Sequence, residues 1–309
     1  MAVIHSIYRE SGEVRINTET CRGCGMCVQI CPAELLVMES GNVCVQDDNS
    51  FGCIACGHCM MVCPEGAITV RGRGVTPDDL MPLPESKMKA GAEELAALMQ
   101  SRRSVRRFTN QEVEPAVIER IIEMAATGPM GIPPWDVGCS IIRGREQVQR
   151  VAKKVVKGYK GFLKVVKPGL LRLMRPFIGK AKYEFFVNFV IPLAETYVGG
   201  HGEGRDLLFY GAPVVLIFHH SPYAESTDAT IACTYAMLAA ESLGLGSTII
   251  GGATPILQRN KKLCRNLGIP VGNTPSIAMI LGYPATKFRR TIRRRFTSVV
   301  EATLFDNRS

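Results

Sequence analysis

The sequence predicts an α+β protein in which a small cysteine-rich module precedes a larger domain of alternating helices and strands. Three observations support this class. A cysteine motif occurs twice near the start, a stretch rich in proline and glycine follows it, and helical and strand-like patterns alternate through the remainder. A chain of 309 residues is long enough to give each part its own hydrophobic core.

The two cysteine motifs share one spacing. "CRGCGMCVQICP" starts at Cys21, and "CIACGHCMMVCP" starts thirty-two residues later at Cys53. Both have the form C-x2-C-x2-C-x3-C-P, and cysteine thiolates suit zinc or iron–sulfur clusters. Because zinc ligands usually come as two separated pairs, three evenly spaced cysteines favour a cluster, and a zinc ribbon is the alternative.

The motifs resemble those of the bacterial two-cluster ferredoxin, in which the cysteine before proline ligates the other cluster. This resemblance implies two [4Fe–4S] clusters with two crossed ligand sets. The first set is Cys21, Cys24, Cys27 and Cys63, and the second is Cys53, Cys56, Cys59 and Cys31. Four small residues should let backbone amides approach the sulfurs, namely Gly23, Gly25, Ala55 and Gly57. Cys44 lies outside the motifs, and we expect a buried thiol there.

The charge is unevenly distributed between the two parts. Residues 1–72 contain four Lys/Arg and eight Asp/Glu, a balance of −4, and because the whole chain carries +9 the remainder carries +13. The two parts should therefore attract each other, or the basic part should bind anions. The sequence shows no secretory leader and no apolar run of membrane length, so we expect a cytoplasmic protein without disulfides.

The stretch "GRGVTPDDLMPLPES" has three prolines, two glycines and neither a helical nor an alternating pattern. Such a composition is typical of a linker. We therefore predict a cluster domain at residues 1–72, a linker at 73–86 and a second domain at 87–309.

In the second domain, helices are predicted from Ala90 to about Ser101, from Pro115, and from the candidate N-cap Asp228. The helix at Pro115 has one apolar face, formed by Val117, Ile118, Ile121, Ile122 and Ala125. Strand-like runs occupy residues 138–143, 213–220 and 276–284.

The stretch "SRRSVRRF" (101–108) concentrates arginines around a serine, a pattern that suits phosphate, although a solvated basic surface is the alternative. Four further phrases follow it: a turn ending in "PPW", "YGAPVVLIF", "LAAESLGLGSTIIGG" and "GYPATKFRR". Together, over roughly residues 88–290, these phrases resemble the FMN-dependent nitroreductase family.

This resemblance implies a three-layer α/β/α flavoprotein that forms a homodimer with FMN at the subunit interface. Six residues would hold the flavin phosphate and ribityl chain: Arg102, Arg103, Ser104, Arg106, Lys287 and Arg289. Five more would contact the ring: Pro129, Met130 and Gly131 on one face, and Gly251 and Gly252 near its reactive edge. For the glycine-rich phrase, a plain helix C-cap and turn at Gly244 and Gly246 is the alternative.

The loop "PMGIPPW" departs from the family pattern, which often reads Pro-Ser-Gly-x-Asn-x-Gln-Pro-Trp. The hydrogen bonds that the family's serine, asparagine and glutamine make to the ring are absent from this pattern. We expect a more apolar contact from Met130 in their place, with an altered flavin potential or substrate choice.

An insert at about residues 153–205 is unusually basic, because Lys153–Lys182 contains ten Lys/Arg and no acid. On a helical wheel one face is apolar (Val155, Tyr159, Phe162, Leu163, Val166) and the other carries Lys153, Lys157, Lys160, Lys164 and Lys167. Pro168 is expected to end this helix. Three interpretations stay open: a lid over the flavin, a docking surface for an acidic electron carrier or the chain's own cluster module, and a helix on a membrane surface.

The preferred hypothesis is an oxidoreductase in which two clusters pass electrons to FMN, which reduces a nitroaromatic, a quinone or a similar acceptor. The candidate donors are an external ferredoxin, a flavodoxin or NAD(P)H. Flow in the reverse direction and a non-catalytic relay or redox-sensing subunit are the alternatives. No residue pattern identifies a catalytic group. His58 lies inside a cluster motif, and the other three histidines considered are interpreted as structural: His201, His219 and His220. Three further cysteines are interpreted as buried thiols: Cys139, Cys233 and Cys264. Nucleic-acid binding is not expected, since no recognition motif accompanies the charge.

Overall fold

A computed structural model of the chain describes residue 7 and residues 9–46, 49, 52–131 and 135–302. Its first part contains two short antiparallel sheets and two one-turn helices. The strands are β1 (Glu13–Ile16), β2 (Leu36–Glu39), β3 (Asn42–Val45) and β4 (Ile68–Arg71), with β1 paired to β4 and β2 to β3. The helices are α1 (Met26–Ile30) and α2 (His58–Val62), which repeat the thirty-two-residue offset of the motifs. The sequence duplication is therefore a structural duplication.

The core of this part extends slightly beyond the predicted limit at residue 72. Val75 is buried and packs with Ala55, Met60 and Val70, and its backbone pairs with that of Gly72. Two 3-10 turns follow, at Pro77–Asp79 and Ser86–Met88, and the side chain of Thr76 caps the first. The domain limits themselves stay a prediction.

The second part is built on one antiparallel sheet of four strands. These are β5 (Val137–Arg143), β6 (Val214–His220), β7 (Gly246–Ile250) and β8 (Thr274–Gly282), in the order β5-β6-β8-β7. The three predicted strands are confirmed. β7 was not predicted as a strand, because glycine and serine at its start weaken the β pattern.

Helices cover both faces of this sheet. They are α3 (Ala92–Ser101), α4 (Pro115–Ala126), α5 (Arg145–Val165), α6 (Pro168–Ile178), α7 (Lys180–Phe185), α8 (Ile191–Gly202), α9 (Ser226–Ser242), α10 (Thr254–Arg259) and α11 (Lys261–Asn266). On β6, Val214, Leu216 and Phe218 pack toward α4 and α9, whereas Val215 and Ile217 pack toward α5 and α8. This alternation follows from the period of a strand and gives three layers, as predicted.

Two helix boundaries differ from prediction. α9 begins at Ser226, so Asp228 lies in its first turn, where it is buried, rather than at the N-cap. Pro168 starts α6 instead of only ending α5, because proline fits the first helical position, where no intrahelical donor is needed.

The basic insert is helical through most of its length. Along α5, Val155 and Tyr159 are buried while Lys153, Lys157 and Lys160 are exposed, as the wheel predicted. From α6 to the π-helical turn Phe186–Val190, several apolar side chains are exposed: Leu173, Met174, Phe177, Phe185 and Phe189. Among the described residues, no helix combines the length and apolarity that crossing a bilayer requires.

Candidate functional site

The eight motif cysteines surround two small cavities. Cys21, Cys24, Cys27 and Cys63 line one cavity of about 20 Å³. Cys31, Cys53, Cys56 and Cys59 line another of the same size. The fold therefore brings together the two crossed sets that the ferredoxin resemblance implies, because Cys31 directly after α1 and Cys63 directly after α2 each line the other cavity. Among the described residues, no three His, Cys, Asp or Glu side chains converge on a single-ion position.

The backbone beside the thiols adopts left-handed conformations at four positions. Gly23, Gly25, Ala55 and Gly57 all have positive φ, between 56° and 74°. An alanine in this region is uncommon, so Ala55 keeps the conformation of its repeat counterpart Gly23 at some cost. The amide of Ala55 donates to Cys53 Sγ at 3.4 Å, and the amide of Ala67 donates to Cys63 Sγ at 3.3 Å. Such donors stabilise thiolates that ligate metal.

The thiols of each set lie close to one another, and most of them are at least partly buried. Burial raises the pKa of Cys59 to about 12, and the neighbouring thiols Cys53 and Cys56 add to this effect. Burial also raises the pKa of Cys27, with smaller contributions from Cys63 and Cys21. Four clustered thiols cannot all ionise without cations between them. Both sets therefore have the chemistry of metal-cluster sites.

The arginine segment, residues 102–108 directly after α3, runs beside the edge of the main sheet. Ser104 pairs with Ser247 of β7, and the Val105 amide donates to the Ser247 carbonyl at 3.0 Å. The Thr248 hydroxyl donates to the carbonyl of Val105 at 2.6 Å. At Gly246, an added Cβ would lie 2.6 Å from Val105, so glycine permits this close approach. Of the two glycines interpreted as a possible cap and turn, only Gly244, with φ 76°, fits that interpretation.

Several cations meet beside this segment. Arg103 and Lys287 line the same cavity of about 280 Å³, which Glu241 also borders. Arg103 also hydrogen-bonds to Thr291 of the C-terminal segment. Burial lowers the pKa of Arg102, and the nearby cations Arg294 and Arg103 lower it further.

Not every predicted phosphate ligand joins this group. Arg106 is exposed and lies over the ring of Tyr210, with its Cζ 5.6 Å from the ring centroid. Arg289 is exposed and does not line the cavity. Arg294 and Thr291 were missed, although the run "RRTIRRR" in the sequence is a signal that could have indicated them.

The predicted ring-edge glycines form a 3-10 turn, Gly251–Ala253, directly after β7. Tyr159 of α5 donates to the Gly252 carbonyl at 2.6 Å. An added Cβ at Gly252 would lie 2.4 Å from the hydroxyl oxygen of Tyr197, so this turn rests against two tyrosines. Two tyrosines of the basic insert therefore pack against this turn.

The predicted ring-face residues lie elsewhere on the domain. The Gly131 amide donates to Asp228 at 3.2 Å, at the start of α9, and Met130 packs partly into the core. Ser101, beside the arginines, donates to Glu241 at 3.1 Å, at the end of α9. Thirteen residues of helix separate these contacts by about 20 Å. Within one chain, the phosphate-type and ring-face residues are therefore far apart. Residues 132–134 of the loop lie outside the described residues.

Two buried hydroxyls make no hydrogen bond within the described part of the chain. They are Ser247 Oγ, beside the arginine segment, and Thr254 Oγ1, just after the Gly251–Ala253 turn. Buried polar atoms are nearly always paired. Both unpaired atoms thus lie next to segments predicted to contact the cofactor.

The remaining predicted thiols and histidines have structural settings. Cys233 and Cys264 are buried as expected, whereas Cys44 and Cys139 are only half-buried. Cys44 is partly exposed because it lies on one of the short strands of a two-stranded sheet that has little to cover it. His219 is buried against Asn273, with 3.0 Å between His219 Nδ1 and Asn273 Nδ2.

Comparison with known proteins agrees with this geometry. The model of the nitroreductase family matches residues 99–283, which is more than half of the chain. The chain belongs to the nitroreductase family. A second model, of the 4Fe-4S dicluster domain, matches residues 20–68. This chain is thus a nitroreductase-family oxidoreductase with a 4Fe-4S dicluster domain ahead of its nitroreductase domain.

The nitroreductase domain shares its fold with a solved structure. A nitroreductase with bound FMN from Bacteroides fragilis covers 67% of this chain and 99% of its own, with 18% identity and a TM-score of 0.51. A nitroreductase with bound FMN from Desulfitobacterium hafniense covers 66% of this chain and 97% of its own, with 20% identity and a TM-score of 0.47. No curated protein matches the sequence significantly.

Proposed function

We propose that this protein binds one FMN and two [4Fe–4S] clusters per chain and transfers electrons from the clusters to the flavin for two-electron reduction of an organic acceptor. The observation that carries this proposal is the pairing of two thiol quartets with a separate cationic cavity in one chain. A nitroaromatic compound, a quinone or a similar conjugated acceptor is the proposed substrate class.

The cationic cavity supports the flavin assignment. Arg102, Arg103 and Arg294 are like charges held close together, and Glu241 offsets only part of their repulsion, so the group favours a further anion. A phosphate monoester does so through forked hydrogen bonds. Arg103 and Lys287 both line the cavity, so the residues present fit the phosphate end of FMN.

The separation of the two flavin segments supports a homodimer. In one chain the arginines and the Pro129–Gly131 loop lie at opposite ends of α9, about 20 Å apart. A flavin whose phosphate lies at the arginines would receive its ring-face contacts from a second copy. We therefore propose a symmetric dimer with shared sites.

The chemistry divides between cofactors and protein. Bound FMN would supply the conversion between one-electron and two-electron transfer. Each of the two clusters would give up one electron, and the acceptor would gain these two electrons together with two protons from solvent. The chain's own residues bind and orient: cations hold the phosphate end, and Tyr159 fixes the Gly251–Ala253 turn.

The test is an anaerobic preparation followed by titration with reductants and acceptors. We expect close to eight irons and one FMN per chain, and reduction of the flavin by added reduced ferredoxin before any acceptor is reduced. Two zinc ions without iron, or no flavin, would contradict the cofactor assignment.

The same titration decides the direction of flow. A variant with Cys24 and Cys56 replaced by serine removes one ligand from each quartet. Rapid flavin bleaching by NADPH in this variant would favour flow from nicotinamide to the clusters. A flavin that is reduced but passes electrons to no nitro, quinone or enone compound would favour a relay subunit.

A further inference from the structure

The two thiol quartets differ in their surroundings. The first is near the surface: Cys24 is exposed, and its cavity is bordered by an exposed ion pair between Arg22 and Glu65, 3.2 Å apart. The second lies beside Ser11 and Gly12, whose hydrogen bonds to Cys53 connect it to a segment that also contacts the nitroreductase domain through Ile7. The first cluster site therefore lies at the surface, and the second lies next to a link with the nitroreductase domain.

A short series of hydrogen bonds connects the second quartet to the nitroreductase domain. The Ile7 amide donates to Asp136 Oδ2 at 3.1 Å, and the Ser221 hydroxyl donates to the same oxygen at 2.5 Å. Five residues after Ile7, the Gly12 amide donates to the Cys53 carbonyl at 2.9 Å. The Cys53 amide in turn donates to the Ser11 hydroxyl at 2.7 Å. Ile7 and residues 9–12 thus connect the nitroreductase domain to the second quartet.

Arg73 lies along the same segment. Its side chain is only 5% exposed, and its Nε donates to the Glu10 carbonyl at 2.8 Å. Asp136 is 2% exposed. Burial lowers the pKa of Arg73, while the nearby Cys53 and Asp136 act in the opposite direction, so the guanidinium interacts with both. A buried cation is costly unless anionic groups compensate it.

We propose that the second quartet faces the nitroreductase domain and that Arg73, together with Asp136, is the positioning group that couples this cluster site to it. The proposal rests on the function proposed above, since it concerns electrons that leave the clusters for the flavin. A cation beside Cys53 favours the more negative, reduced form of a cluster held there. Electrons that enter at the exposed first site are thereby drawn toward the second, next to the nitroreductase domain.

The test uses the full chain with both cofactors. Arg73→Gln should lower the midpoint potential of one of the two clusters, and Asp136→Asn should raise the potential of the same cluster. Arg73→Lys should retain most of the wild-type potential. The matched control is Arg71→Gln, because Arg71 is exposed two residues away and its charge is screened. A merely structural role would not produce shifts of opposite sign.

Two further readouts do not depend on turnover. Cluster-to-flavin transfer, followed by flavin bleaching after rapid cluster reduction, should slow tenfold or more in Arg73→Gln, with iron and FMN content unchanged. In thermal unfolding, Arg73→Gln combined with Asp136→Asn should lower Tm by less than the sum of the single changes, because the two residues share one interaction.

Unchanged potentials in Arg73→Gln and Asp136→Asn, or equal effects in Arg73→Gln and Arg71→Gln, would overturn this inference. These outcomes leave the proposed function standing, provided that the wild-type clusters still reduce the flavin. If the wild-type clusters never reduce the flavin, the proposed function fails, whatever the variants show.

Discussion

At the scale of single residues, the arginines after α3 carry the clearest consequence. Replacing Arg102 and Arg103 together by glutamine should weaken FMN binding about a hundredfold or more, because two charge-assisted hydrogen bonds are lost. Flavin retention after gel filtration and the dissociation constant measure this loss. Iron content should not change.

The matched control for this pair is Arg107→Gln, because Arg107 is exposed whereas Arg102 and Arg103 are partly buried. Without FMN, the double variant should be at least as stable as the wild-type apoprotein, since it relieves repulsion between like charges. Unaltered flavin affinity in the double variant would mean that the phosphate binds elsewhere.

A second residue-scale prediction concerns pH and His219. Burial, and then the neighbouring His220, lower the pKa of His219 below the ordinary histidine value of about 6.5. The unfolded state therefore binds more protons, and stability falls as pH drops below about 6.5 toward the lowered pKa. His219→Gln should reduce the difference between Tm at pH 8 and Tm at pH 5. His201→Gln, at an exposed position, should keep the wild-type difference.

At the scale of elements, α5 contains a matched pair of glycines. An added Cβ at Gly158 would lie 2.4 Å from Ile256, whereas at Gly161 it would meet nothing within 4 Å. Gly161→Ala should stabilise the protein by about 0.5–1 kcal/mol, because alanine favours the helix. Gly158→Ala should destabilise it by about 1–3 kcal/mol through overpacking. Denaturant unfolding of both variants measures the difference. Equal effects would show that α5 does not pack on α10 as described.

The elements also show where patterns in the sequence were sufficient. α4 was predicted with its buried face, since Ile118, Ile121 and Ala125 follow the helical period and Pro115 marks its start. β7 was missed because its pairing with β8, and its bridge to Ser104, depend on residues distant in the sequence. Local propensity cannot reveal such a strand.

At the scale of the whole molecule, the two domains should be separable. Deleting residues 1–75 removes the core that Val75 completes and should leave a flavin-binding dimer that dithionite still reduces. Reduction by ferredoxin should be lost, because both thiol quartets are gone. Absorbance spectra and gel filtration check both statements. A colourless monomer would show that the nitroreductase domain needs the cluster domain to fold.

The basic insert shows which contacts the amino-acid composition does not predict. Its exposed lysines were predicted from the wheel, and so was the apolar face that α5 buries. Composition gave no indication that Tyr159 would reach the Gly252 carbonyl, ninety-three residues away in the sequence. That contact exists because α5 and the end of β7 lie on the same side of the sheet.

The sequence by itself indicated α3, α4, α5 and α9, because helical periodicity is local, and it indicated the two cysteine quartets and the nitroreductase family through resemblance to known motifs. Only the tertiary structure decided which cations share one cavity, that the two flavin segments lie at opposite ends of α9, and that Asp136 accepts a hydrogen bond from Ile7. The physical reason is that charge and hydrogen bonding act over a few ångströms in space. Residues distant along the chain come that close only once the core has packed.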